Sequence, residues 1–209
     1  MSAIRSEQPC PEPSALSKLI EAADASGNPF SATTLQTLHN LQHQHLWTSL
    51  QIHDISTALE ASETPSKSPI TSSPDDTTLT LISGIPPHRV YTHPDEQLYM
   101  LEQGLREDDL KPERLFVIPT AQGQAWSLRR IAAVFDAMSD VQADETAGDG
   151  NTAKAEQLVK YYERREKARK TTEWGGKRVL LAMVDKGMGG EGTVVYYVVQ
   201  EGEVKPRQN

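Results

Sequence analysis

The amino-acid sequence predicts an α/β domain of the α+β kind, a mixed β-sheet flanked by helices, and three observations carry that expectation. Apolar residues recur at helical spacing in two short stretches near the start of the chain. Strand-like and helix-like patterns then alternate through its middle. Two runs rich in β-branched and aromatic residues, separated by a glycine-rich turn, come last.

Residues 1–13 carry Pro9, Pro11 and Pro13 among few apolar residues, and read as a disordered lead-in to a single domain over residues 14–209. Ser14 caps a helix whose stripe is Leu16, Leu19, Ile20 and Ala23. Leu35, Leu38 and Leu41 form a second stripe after a capping Ser31 or Thr33. From Leu46 the pattern alternates, with Leu46, Leu50 and Ile52 on one side, which predicts a strand. Residues 61–78 are crowded with Ser, Thr, Pro and Asp and cannot bury enough apolar surface to offset their ordering entropy, so they read as a polar insertion. Leu79 and Leu81 begin a strand that ends in a bend at Pro86 and Pro87, with an extended piece after it to Tyr91.

Pro94 starts a short helix closed by Gly104. Residues 115–118 form a compact apolar strand bounded by Pro119. Ser127 caps a helix whose Leu128, Ile131, Ala132, Val134, Phe135 and Met138 give a broad buried face. Residues 139–153, acidic and glycine-containing, read as a second polar insertion, and a charged helix follows to Lys170. Residues 178–184 and 193–200 are the clearest strands, joined by a turn over residues 185–192.

A formal net charge of -8 argues against a surface that grips nucleic acid all over, so any RNA contact must be local. Cys10 is the only cysteine, which excludes an internal disulfide and a multi-cysteine metal site and fits a reducing compartment. No apolar run approaches the ~18 residues of a membrane span, and the first residues lack a signal-peptide centre; a soluble intracellular protein is expected.

Several constellations carry candidate chemistry. Residues 187–192 match G-x-G-x-x-G, but a second strand rather than a helix follows, and Glu191 would repel phosphate; a hairpin loop is the better reading. His39 and His43 have the spacing of a zinc-protease helix, yet Asn40 stands where the general base belongs. Asp95, Glu203 and Lys205 echo a metal-dependent nuclease, but Glu203 falls in a tail beyond the last predicted strand. Neither a metal nor a cofactor is expected. Tyr91, His93 and Lys177 supply the base, acid and cation of a metal-free ribonuclease, with residues 91 and 93 on one face of an extended segment.

Residues 154–178 hold nine Lys or Arg against four glutamates in an acidic chain. Lys160, Arg164, Arg165, Lys167, Arg169 and Lys170 are candidate phosphate contacts, with Tyr161 and Tyr162 available for stacking or packing; the alternative is a solvated helix of internal ion pairs. Thr193, Val194, Val195, Tyr196, Tyr197, Val198 and Val199 make a strand that is apolar or aromatic on both faces. It needs cover on each side, either inside its own sheet or from another polypeptide.

Residues 81–91, with Gly84, Pro86, Pro87 and Tyr91, residues 126–130 with Phe135 and Asp136, and the ending from Thr193 to Asn209 together resemble the fungal type of the small structural subunit of the eukaryotic tRNA-splicing endonuclease. The resemblance runs from about Leu16 to Asn209 outside the polar insertions. It implies a tRNA-endonuclease C-terminal-domain-like, restriction-endonuclease-like fold. It also implies a non-catalytic subunit of a heterotetramer, in which two catalytic subunits and one further structural subunit remove introns from precursor tRNA. By that resemblance the last strand pairs with a catalytic subunit, and the loop holding Asp185 and Glu191 docks into another. Of a catalytic tyrosine, histidine and lysine only Lys177 has a counterpart, as a vestige. The implied compartment is the nucleus, with the cytoplasmic face of the mitochondrial outer membrane as the alternative; a homodimer is the expected state of an isolated chain that lacks its partner.

Overall fold

The computed structural model describes residues 12–25, 31–55, 79–141, 154–171, 173–185, 193–200 and 203–206. The lead-in over residues 1–11 and the insertion over residues 61–78 lie outside them, as does most of the second insertion. The first helices form where the caps require. In α1 (Ala15–Ala25) the Ser14 hydroxyl accepts from the Ser17 N–H at 3.0 Å, and in α2 (Ala32–His43) Ser31 accepts from Thr34 at 3.2 Å. Of the two candidate caps, Ser31 serves.

Six strands make one mixed sheet in chain order: β1 (Thr48–Asp54), β2 (Thr80–Ile85), β3 (Leu115–Ala121), β4 (Arg178–Asp185), β5 (Thr193–Gln200) and β6 (Glu203–Pro206). Every neighbouring pair is antiparallel except β3 and β4, which run parallel. A parallel pair needs a long crossover, and the chain supplies it with α4 (Leu128–Val141) and α5 (Ala155–Thr171). The remaining helix, α3 (Pro94–Glu102), starts at Pro94 as expected. It ends at Gly104, whose φ of 69° lets the Gly104 N–H reach Leu101 and the Leu105 N–H reach the Met100 carbonyl at 2.8 Å, a Schellman closure.

Alternation along the strands splits the interior into two layers. Leu81, Phe116, Ile118, Val179 and Val199 face Val134, Phe135 and Met138 of α4; Ile82, Val117, Leu180, Tyr196 and Val198 face Leu41 of α2. A third cluster, Met100, Leu105, Leu110, Tyr161, Ala168 and Trp174, joins α3 to α5.

Four expectations are corrected. The first strand starts at Thr48, because Leu46 and Ser49 adopt left-handed φ values of 55° and 50° and the pairing with β2 slips between Thr48 and Gln51. Strand β3 runs through Pro119 to Ala121 rather than stopping before it. Leu128 of α4 is 87% exposed and Ala132 is exposed, since α4 turns only Ile131, Val134, Phe135 and Met138 to the sheet; the helix also reaches Val141, into the stretch read as an insertion. The tail holding Glu203 is β6, too short and polar to register as a strand by pattern.

Candidate functional site

Strand β5 lies at the far end of the sheet, and its two edges are treated differently. All of it, from Thr193 to Gln200, pairs with β4, from Asp185 back to Arg178. Strand β6 pairs only with Tyr197, Val198, Val199 and Gln200. Along residues 193–195 no described strand covers the second edge, so among the described residues that segment is a candidate pairing template.

Cover of its faces changes along the strand in the same sense. Val198 and Val199 are buried by the chain's own layers, and Tyr196 is tied to α2 by a 2.6 Å hydrogen bond from its hydroxyl to the Asn40 side chain. The expected two-sided need for outside cover is thus met internally over the second half of the strand. Val195 is 38% exposed, Thr193 is exposed and Val194 and Tyr197 are half-buried. Val195 and Tyr197 share the α4-side face with Val199. Their β4 partners Met183 and Leu181 are half-buried too, so one corner of the sheet presents adjoining apolar side chains. Asp185, at the mouth of the hairpin, is half-buried; Glu191 and the rest of the docking loop lie outside the described residues. The β4–β5 pairing across that loop, from Asp185 opposite Thr193, rules out a strand–loop–helix nucleotide site for G-x-G-x-x-G.

At the other end of β4 sits a buried ion cluster with no sequence-level expectation behind it. Glu96, in the first turn of α3, has a fully buried carboxylate. It accepts from the Tyr161 hydroxyl at 2.6 Å, Arg89 at 2.9 Å and Arg178 at 3.2 Å, with Arg165 at 3.9 Å. Arg89 and Arg165 also pair with Glu113. Burial alone would raise the Glu96 pKa, but the Tyr161 hydrogen bond and the charges of Arg165, Arg89 and Arg178 outweigh it and bring it down to about 2. Burial also pushes the Tyr161 hydroxyl up, further raised by Glu96 and opposed by Arg89.

This cluster decides the fate of the basic helix. Arg165 points inward, its side chain 13% exposed, and Tyr161 is fully buried, so both are packing residues rather than RNA contacts. Arg164 pairs with Glu173 and lies 5.9 Å from the centre of the Trp174 ring. Lys160 and Lys167 are exposed; the side chains of Arg169 and Lys170 lie outside the described set.

Beside the cluster is a cavity of about 220 Å³ whose lining includes Tyr91 and Lys177. His93 is not part of it. Its ring instead caps α3, Nδ1 accepting from the Asp95 N–H at 3.3 Å, because Pro94 turns the chain into the helix there. Lys177 donates to the Phe135 carbonyl at 2.9 Å, and Tyr91 lies under the Arg178 guanidinium at 5.2 Å. The three residues of the ribonuclease alternative are therefore not gathered into one site. The His39 and His43 rings lie 4.5 Å apart, tilted by 49°, and among the described residues no group of three or more His, Cys, Asp or Glu gathers to hold a metal. Among those residues no helix is long and apolar enough to cross a membrane.

Residues 36–149 and 150–209 match the Sen15 protein family. The chain is also 33% identical over 181 residues to a probable tRNA-splicing endonuclease subunit, tsp-1, of Neurospora crassa. That alignment covers 85% of this chain and 66% of the relative, so the chain spans just under two thirds of the relative's length.

Proposed function

Because the chain belongs to the Sen15 protein family, we propose that it is a structural, non-catalytic subunit of a tRNA-splicing endonuclease, built on an endonuclease-like domain and serving to hold a catalytic subunit during intron excision from precursor tRNA. The half-open edge of β5 carries this reading. Residues 193–195 offer an edge that no described strand pairs beside an apolar corner of Val195, Tyr197, Met183 and Leu181, and a partner strand added there would satisfy both needs at once. Support for a non-catalytic role comes from the engagement of the residues that would have to act: His93 caps a helix, and Lys177 donates to a carbonyl.

The experiment is co-expression with the catalytic and structural subunits, comparing the native chain with Val195→Asp. Val195 is partly exposed, so the isolated variant should melt close to the native chain, whereas burying an unpaired carboxylate at the interface should lower recovery of the complex by roughly thirtyfold or more. Undiminished assembly would rule out this edge as the contact.

A further inference from the structure

We propose that the outward face of α3 is a docking surface for a basic amphipathic helix of another protein. Among the described residues eight large apolar side chains are exposed, and two of them, Leu98 and Leu101, stand together on this helix at 58% and 67% exposure. With Pro94, also exposed, they follow one another at intervals of four and three residues and so form one ridge. Glu96 and Met100, about half a turn round the helix, are buried. A helix of 9 residues thus carries apolar side chains on opposite faces, and its own chain covers only one of them.

The ridge cannot turn inward. Glu96 anchors the inner face to Tyr161, Arg89 and Arg178, His93 caps the first turn, and Gly104 closes the last with Leu105 buried behind it. A single exposed leucine is ordinary on any surface, but a ridge held outward on a helix fixed at both ends is preorganised for cover. Shape and charge say what covers it. The backbone groups of a helix lie along its own axis, so no strand can be added here as at a sheet edge; a side-chain ridge packs into the groove of another helix. At ~1.5 Å per residue the face is about 13 Å long, enough to seat about two turns of a partner. Asp95 and Glu102 flank the ridge on one side, and Glu107 and Asp108 follow in the single turn after the helix. Asp109 is half-buried and paired with Lys154, and Arg106 is the one exposed cation between residues 94 and 109. Four exposed carboxylates against one guanidinium favour lysine and arginine beside the partner's apolar stripe and reject an acidic one. A second copy of this chain fits poorly: on its α5 the exposed Lys160 and Lys167 alternate with exposed Glu163 and Glu166.

This surface is separate from the β5 edge, and the full chain alone tests it. The probe is a synthetic helical peptide whose leucine stripe is flanked by lysines, with a second peptide carrying glutamates in their place. Isotope-labelled protein is titrated with each, following backbone amide shifts. The lysine peptide should move residues 94–109 saturably, less so at high salt, and the glutamate peptide should leave them still. Affinity should fall at least roughly tenfold in Leu98→Ser/Leu101→Ser through loss of apolar contact, and about threefold in Glu102→Gln/Asp108→Asn through loss of charge. Leu101→Ala alone serves if the double leucine variant does not fold. Leu128→Ser, which alters an exposed leucine on α4, should bind like the native chain. The proposal is overturned if shifts scatter over the acidic surface instead of gathering in residues 94–109, if both peptides bind alike, or if the leucine variants bind as tightly as the native chain. Movement of the same amides with protein concentration alone would also overturn it, by assigning the face to a second copy.

Discussion

Glu96 is the residue at which α3, the segment before it, α5 and the start of β4 meet, and its chemistry sets a pH limit on the fold. The folded carboxyl titrates at about 2 against an ordinary 4.5, so it stays charged in the native state where it would take up a proton in the unfolded one. A depressed acid contributes its full stability above pH 4.5 and loses it progressively as pH falls toward 2. Glu96→Gln removes the charge from among three arginines and should cost about 3 kcal/mol or more near neutrality, because buried cations lose their counter-ion. Urea unfolding of both proteins checks this: the gap should be wide near neutrality and should close through the acid window. A gap of constant size would assign Glu96 a packing role only. None of this was legible beforehand. Glu96 follows Pro94 and Asp95 in an ordinary helix first turn, and its partners Tyr161 and Arg178 lie 65 and 82 residues away, beyond the reach of any spacing rule. The same blindness placed Arg165 among the phosphate contacts: on a helix of alternating charge, the arginine that turns inward looks like its neighbours.

Elements were legible where local chemistry determines them. Ser14, Ser31 and Ser127 cap helices through their own backbone neighbours, Gly104 closes α3 because it alone there tolerates a left-handed φ, and β-branched runs mark β4 and β5. Strand β6 was not, since four residues ending in Pro206 carry no alternation to read; a proline is tolerated there because β6 is an edge strand. The proposed partner surface was half legible: the apolar character of β5 showed in sequence, but which part of it stays unpaired among the described strands depended on how far β6 reaches. That dependence yields an expected outcome. Truncation after Gln200 should extend the open edge from residues 193–195 to the whole of β5, and the shortened chain should form higher oligomers in size-exclusion chromatography at concentrations where the full chain elutes unchanged. Identical elution of both would mean that β6 contributes no protection.

At the scale of the whole molecule, the chain is a sheet clamped between α2 and α4, with α3 and α5 hung on its side by the third cluster and the Glu96 ion pairs. Stability should therefore be graded. Strands β3 and β4 pair through Val117 to Ala121, with Val117, Ala182 and Val184 fully buried, whereas α5 exposes Val159 and anchors chiefly through Tyr161 and Ala168. Amide hydrogen exchange should find the slowest sites in β3 and β4, at the free energy of global unfolding, and faster exchange in the first turns of α5 through local opening. The open edge adds a second expectation. In the isolated chain, the amides of residues 193–195 that do not bond to β4 should exchange within the fast class, although their neighbours on the same strand are protected. On assembly those amides should slow selectively, because a partner strand takes up their N–H groups while β3 and β4, already paired on both sides, have little left to gain. Protection appearing instead across α5, with residues 193–195 unchanged, would move the contact surface from the sheet edge to the basic helix.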